Sequence, residues 1–348
     1  MAYTDIDNPE LYFQAKTYTG SGSSLAVTLD GSENLQPDWL WIKNRGTSDE
    51  NVVHDSVRGV GKRLITDGTQ AEATTTNQVS SFDSDGFTVP GGSANTGASS
   101  NNYVGWCWKA AGSTATNTEG NVNTTISANT TAGFSIISAD PGSTSGELTL
   151  GHGLGTVPTM FIWKNLETAG QNWQVFHQNT GTGLLILNSN AGKNTDVTFW
   201  NTHTTTLFKM TTHMYAQNKD FIGYCFSDRK GFLKCGEYKG NGNANGSFVW
   251  TGQKSAWIMV KRTDTSGYEW SIWDNKRNPF NLADTTLRSN SSASEATIGD
   301  HYKIDILANG FKFKTSNGDV NAAGATYIFM CFAESPLVNS KGVPNNAR

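Results

Sequence analysis

Asn102-Tyr103-Val104-Gly105-Trp106-Cys107-Trp108 is the stretch from which the rest of the chain is read. It returns as Asp220-Phe221-Ile222-Gly223-Tyr224-Cys225-Phe226 and as Thr326-Tyr327-Ile328-Phe329-Met330-Cys331-Phe332. Aromatic and β-branched residues in short apolar runs suit half-buried or fully buried strands. A cysteine at the same place in each copy marks an internal repeat. Further anchors recur in the same order. Pro37-Asp38-Trp39-Leu40-Trp41-Ile42-Lys43-Asn44 matches Pro158-Thr159-Met160-Phe161-Ile162-Trp163-Lys164-Asn165 and Ser255-Ala256-Trp257-Ile258-Met259-Val260-Lys261-Arg262. Val52-Val53-His54-Asp55 then aligns with Trp173 to His177 and Trp270 to Asp274, and Asp85-Gly86-Phe87-Thr88-Val89 with Asn309-Gly310-Phe311-Lys312-Phe313.

Units of roughly 110 residues are domain-sized rather than solenoid rungs. Their boundaries fall in polar stretches near Gly112 and Gly231. The expected organisation is an N-terminal arm over 1–14, then repeats over 15–112, 113–232 and 233–348. Charged residues are only 16% of the chain, and glycine is abundant. Helix signals are nearly absent; Asp67 to Thr75 and Ser291 to Thr297 allow a single turn each. The expected fold class is all-β: three tandem antiparallel β-sandwiches of jelly-roll, concanavalin-like type, set in a row. The glycines of Tyr18-Thr19-Gly20-Ser21-Gly22 and Tyr238-Lys239-Gly240-Asn241-Gly242 read as turns, because strand rather than helix follows them.

The net charge of −4 leaves no electrostatic footprint for nucleic acid. No apolar run reaches the ~18–20 residues of a membrane span, and the N-terminus does not read as a signal peptide. Cys107, Cys225 and Cys331 should occupy separate cores. With Cys235, whose one available partner is Cys331, they read as free buried thiols. No zinc spacing exists.

No catalytic motif survives inspection. His152, between glycines, reads as a loop residue that bonds backbone. His54 and His177 read as one strand position, replaced by Asp274 in the third repeat. Asp83-Ser84-Asp85-Gly86 lacks the remaining ligands of a calcium loop and reads as a hairpin turn. Asp55 with Arg58, and Asp274 with Arg277, read as strand-end salt bridges. A carboxylate pair for glycoside hydrolysis has no fixed spacing to search for. No cofactor, metal or catalytic residue is assigned. Tyr12 and Phe13 are either part of a first edge strand or a frayed arm, or the apolar anchors of a docking arm. Most tryptophans should be core, but one of Trp39 and Trp41, and one of Trp106 and Trp108, could alternate outward and stack on sugars.

The motifs Tyr18-Thr19-Gly20-Ser21-Gly22, Gln36-Pro37-Asp38-Trp39-Leu40-Trp41-Ile42-Lys43-Asn44 and Phe82-Asp83-Ser84-Asp85-Gly86-Phe87 resemble a repeat found in structural proteins of marine bacteriophages. The start, Met1-Ala2-Tyr3-Thr4-Asp5-Ile6-Asp7-Asn8-Pro9, and the ending, Asn339-Ser340-Lys341-Gly342-Val343-Pro344, fit the same family. The likeness covers essentially the whole chain and concerns a domain of unknown function. Repeat two departs most, with Ala139-Asp140-Pro141-Gly142 where Tyr-x-Gly-x-Gly is expected. The resemblance implies a non-enzymatic protein of the virion outer surface, a homo-oligomer partnered by other virion proteins. Its role would be tail-associated or fibre-type contact with host-surface glycans. The alternatives are capsid decoration and a glycan depolymerase.

Overall fold

The computed structural model describes residues 3–296 and 301–347. It is all-β and antiparallel throughout its named strand pairs. The described helices are single 3-10 turns at Pro9–Leu11, Gln178–Thr180 and Thr212–Met214. The helical turns allowed at Asp67 to Thr75 and Ser291 to Thr297 do not form in the described residues. Ala73–Thr74 instead pairs as a strand with Lys62–Ile65, and Ser291 to Ala296 is extended chain bridging Thr286. Thr297 lies outside the described residues.

Each repeat builds a large and a small sheet. In the large sheet the cysteine strand (Asn102–Trp108, Phe221–Phe226, Thr326–Pro336) lies in the middle. On one side it pairs with the repeat's first strand: Phe13–Thr19, Phe134–Ala139 or Leu233–Lys239. On the other it pairs with the lysine strand: Trp39–Asn44, Met160–Asn165 or Gln253–Arg262. The register is the same in all three, with Cys107 opposite Leu40, Cys225 opposite Phe161 and Cys331 opposite Ile258. The repeat read from sequence is therefore a repeat of backbone pairing. It also places Ala139 at the position of Tyr18 and Tyr238. The next strand, Val52–Asp55, Gln174–His177 or Trp270–Asp274, corrects one alignment. Asp55, His177 and Asp274 share a position, opposite Trp39, Met160 and Trp257, so His54 corresponds to Phe176 and Trp273. Repeat two adds Ala115–Asn117 and Thr124–Asn129 beyond its first strand.

The cysteines sit where large and small sheets meet. Cys107 packs with Leu40, Ile42 and Phe87, Cys225 with Phe161 and Phe208, and Cys331 with Ile258 and Phe311. These are three separate cores, and all four thiols are free and buried. Cys235 faces the other side of its sheet from Cys331, in a different core.

That other side changes the architecture. The repeats are not beads in a row. Their large sheets turn their outer faces toward one another and close a fourth core shared by all three. Alternation along one strand feeds both layers: Tyr103 and Cys107 point into the sandwich, while Val104, Trp106 and Trp108 point into the shared core. Successive side chains on a strand face opposite ways, so a strand buried on both faces must be apolar at every position. This explains the unbroken runs around each cysteine. Trp39 lies 4.3 Å from Trp108 and 4.5 Å from Tyr224 of repeat two. Trp108 meets Trp257 of repeat three at 5.7 Å.

Around this core the contacts run cyclically. Lys43 Nζ donates to the Ser292 carbonyl of repeat three at 2.9 Å. Lys164 Nζ reaches Thr69 of repeat one at 3.4 Å, and Lys261 Nζ reaches Asn190 of repeat two at 3.2 Å. Burial lowers all three lysine pKa values to about 8. Backbone N–H groups of Glu72, Lys193 and Glu295 return bonds across the same three seams in the opposite sense, to carbonyls of Leu166, Thr263 and Arg45. A third set joins Asn51 Nδ2 to Arg288 O, Trp173 Nε1 to Ile65 O and Trp270 Nε1 to Ile186 O, at 3.2, 2.7 and 2.9 Å. One chain thus imitates a three-subunit ring.

Candidate functional site

The expected glycan-stacking residues are removed from solvent by this arrangement. Trp39, Trp41, Trp106 and Trp108 are all buried in the shared core, so none offers a ring face to a sugar. Residues two apart on a strand share a face, so both members of each pair, not one, point out of their own repeat, and what lies outward is another repeat. Tyr12 and Phe13 are likewise turned inward. Phe13 stacks on Phe332 at 5.2 Å, and Tyr12 meets Phe232 edge-on at 5.8 Å. Asp5 N bonds Lys230 O, and Asp7 accepts from Ser340 N at 2.7 Å. The arm fastens repeat one to the end of repeat two, to repeat three and to the C-terminal tail, and its anchors are used within the chain.

The remaining singled-out residues are held in structural contacts. His152 is buried; its Nδ1 accepts from Leu154 N, and its Nε2 lies 3.2 Å from Thr204 O. Burial lowers its pKa. His54 Nδ1 lies 2.9 Å from Val60 O, and burial lowers its pKa to about 4. Asp83 and Asp85 close a hairpin: Asp83 accepts from Ser81 and Thr88, and Asp85 accepts from Leu35 N. Among the described residues no cluster of His, Cys, Asp and Glu is placed to hold a metal ion. Asp55 pairs with Arg58 at 2.6 Å, and Asp274 pairs with Arg277. These are strand-end bridges, and they are also buried between repeats. Tyr224 Oη donates to Asp55 at 2.8 Å, and Trp106 Nε1 donates to Asp274 at 3.0 Å.

Trp250 is the exception among the tryptophans, with 60% of its surface exposed. It lies on Phe248–Trp250, an outer strand of the small sheet of repeat three. Val249 points inward and is buried, whereas Phe248 and Trp250 point out. Cognate strands keep the inward residue and lose the outward pair. Val27 and Leu150 match Val249, while Ala26 and Thr28, or Thr149 and Gly151, stand where Phe248 and Trp250 do. Framework positions repeat, and the aromatic face belongs to repeat three alone.

The Trp250 ring lies against Gly252, where an added Cβ would meet ring carbons at 3.0 Å. Gly252 also has a φ of 74°, a conformation that favours glycine. Beside the ring opens a cavity of about 520 Å³, bounded by the arm at Tyr3 and Asp5, the 228–234 turn and the tail at Leu337. Its polar groups are fixed in place. Arg229 donates to Thr130 O through Nε and Nη2 at 3.0 and 2.8 Å. Asp228 pairs with Lys234 at 2.7 Å and accepts from Cys235 N. Asp5 accepts from Lys230 N at 3.0 Å. An exposed indole beside fixed donors and acceptors suits stacking on a flat, partly apolar, hydroxylated ligand. The sequence signal for it was Phe248-Val249-Trp250 itself, a strand with large apolar residues on both faces and no second layer for one of them.

Fold and site together define a class: an all-β protein of three two-sheet repeats around a shared core, bearing one exposed aromatic platform. The chain belongs to the family defined by a domain of unknown function, DUF7483, which matches residues 8–336. That single match spans all three repeats, in keeping with their common core. No curated protein matches the chain.

Proposed function

We propose that this is a non-enzymatic structural protein of a bacteriophage virion, tail-associated, which contacts host-surface glycan through repeat three. We read each repeat as a sandwich of the jelly-roll kind, because strands adjacent in the small sheet, such as Leu25–Thr28 and Gly86–Val89, are distant in sequence. The observation that carries the glycan reading is Trp250, exposed beside a cavity while every other tryptophan is buried. The virion role is supported by the motif resemblance along the chain. Binding is favoured over hydrolysis because both carboxylates lining the cavity, Asp5 and Asp228, are already committed as acceptors. The test is retention of the protein on immobilised host-surface polysaccharide. Trp250→Ala should abolish retention, and the polymer's size distribution should stay unchanged. Undiminished retention by the variant, or shortened polymer, would overturn the reading.

Capsid decoration is the second reading, and one observation favours it. Phe280, 78% exposed, and Leu282, 37% exposed, form an apolar loop tip on repeat three suited to a protein partner. A virion density map separates the two roles: copies on the shell and none on the tail would select decoration.

A further inference from the structure

The outer face of the small sheet of repeat three does not end at its aromatic pair. Residues directly opposite on paired strands share a face. Phe248 lies opposite Lys312, and Lys312 lies opposite Asp305. Ile304, Ile306, Phe311 and Phe313 alternate with these and are buried, so Lys312 and Asp305 point outward beside Phe248. The pairing continues one step further, where Lys314 N donates to Lys303 O at 2.8 Å. By the same alternation Lys303 and Lys314 join the outward face. It therefore carries two exposed rings, three lysines and one carboxylate.

Asp305 lies 3.8 Å from the Lys314 ammonium. Among the described residues Lys312 has no ion pair and no side-chain hydrogen bond. The cognate positions set it apart. Repeat one has Thr88 there, opposite Ala26. Repeat two has Lys209, opposite Thr149, and Glu147 lies 4.0 Å from its ammonium. Of the three repeats, the third alone sets an unpaired cation beside exposed rings.

The same face runs between two cavities. One is the cavity beside Trp250. The other, of about 500 Å³, is lined by His301, Lys303, Lys314 and Asn317 among others, and shares no residue with the first. Gly310 lies opposite Trp250, and from Gly310 to Lys314 is roughly 13 Å of strand. A ligand that spans this distance meets rings at one end and ammonium groups at the other.

We propose that this face is a binding track for an acidic linear polysaccharide. The rings of Trp250 and Phe248 stack on its sugars, and Lys312 and Lys314 meet its anionic groups. Charge complementarity selects the anionic chain, and aromatic faces suit sugar rings. The inference rests on the Trp250 platform proposed above and names the class of glycan that platform takes. Lys312 is the residue that separates an acidic polymer from a neutral one.

The experiment measures retention of the full chain on immobilised polygalacturonate, dextran sulfate, dextran and single-stranded poly-dT. An acidic polysaccharide should hold the protein at least tenfold more tightly than dextran or poly-dT, and added salt should weaken the hold. Retention on polygalacturonate assigns carboxylates as the recognised groups; retention on dextran sulfate alone assigns sulfate esters. Lys312→Gln should weaken binding at least tenfold, Lys312→Arg should restore it, and Lys209→Gln, at the cognate position of repeat two, should leave it unchanged. Retention on neither acidic polymer, or equal retention on dextran or poly-dT, would overturn the proposal. Loss of binding in Trp250→Ala but not in Lys312→Gln would also overturn it, and would leave the platform standing. Undiminished binding by Trp250→Ala would instead remove the platform, and the track with it.

Discussion

Two of the three seams around the shared core are closed by a carboxylate and one is closed by a histidine. Where repeat two meets repeat one, Tyr224 donates to Asp55; where repeat one meets repeat three, Trp106 donates to Asp274. Both carboxylates are also held by a buried arginine, Arg58 or Arg277. The third seam cannot copy this. The residue preceding the cysteine there is Met330, whose thioether donates nothing. An aspartate facing it would be a buried charge without its donor. His177 stands at that position and lies 3.2 Å from the Phe329 carbonyl. Its Nδ1 accepts from Asn179 N, which assigns the proton to Nε2 and makes the ring the donor. Burial lowers its pKa to about 4, so it crosses the seam uncharged. The repeats thus share a position that must be satisfied, and each seam satisfies it with what its neighbour offers. The loss of the arginine from repeat two follows from the same change.

The sharpest way to break this comparison is to remove a carboxylate. Asp274→Ala leaves the fully buried Arg277 guanidinium with Glu295 as its remaining carboxylate and strands the Trp106 N–H. Breaking a buried pair from one side costs about 3–5 kcal/mol, and denaturant unfolding should show a loss of that size. At the uncharged seam, His177→Phe removes the buried bond to the Phe329 carbonyl and leaves the Asn179 N–H without its acceptor, and should cost about 1–3 kcal/mol. Equal losses at the two seams would erase the distinction drawn between them. Lys43→Met, which strands the carbonyls of Asn44, Asp49 and Ser292, belongs to the smaller class, at about 1–3 kcal/mol.

The histidine seam also carries a pH signature. In the folded chain burial lowers the pKa values of His177 and His54 to about 4, against an ordinary imidazole value of 6.5. Between those values the unfolded chain binds protons that the folded chain does not, so stability falls as pH drops from 6.5 toward 4. Chemical denaturation across that window should show the decline, and His177→Phe should make it shallower. The smallest expected stability effect is at the platform. Trp250→Ala removes an exposed ring and should alter unfolding by no more than about 0.5 kcal/mol, while removing glycan retention.

The repeat was legible because strand pairing fixes residue type at fixed offsets. Cys107, Cys225 and Cys331, each facing an apolar residue of the lysine strand, could be aligned without a structure. The shared core was partly legible too. Trp39-Leu40-Trp41-Ile42 and Tyr103 to Trp108 are apolar at consecutive positions, and a sheet with one wet face would alternate. Reading the outward members as sugar platforms assumed that outward meant solvent. Which surface they meet is set by contacts between units, and no local pattern encodes those. Trp250 escaped notice for the opposite reason: a short strand gives little periodicity, and its meaning appears when Ala26 and Thr28 are seen at the same places in repeat one.

The central claim is that three repeats fold as one body around the core that joins Trp39, Tyr224 and Trp257. Differential scanning calorimetry of the full chain tests it most directly. A shared core predicts one transition, with calorimetric and van't Hoff enthalpies in agreement, and Asp274→Ala should move that whole transition to lower temperature. Separate transitions, of which Asp274→Ala lowers only one, would contradict it and return the molecule to a string of independent domains.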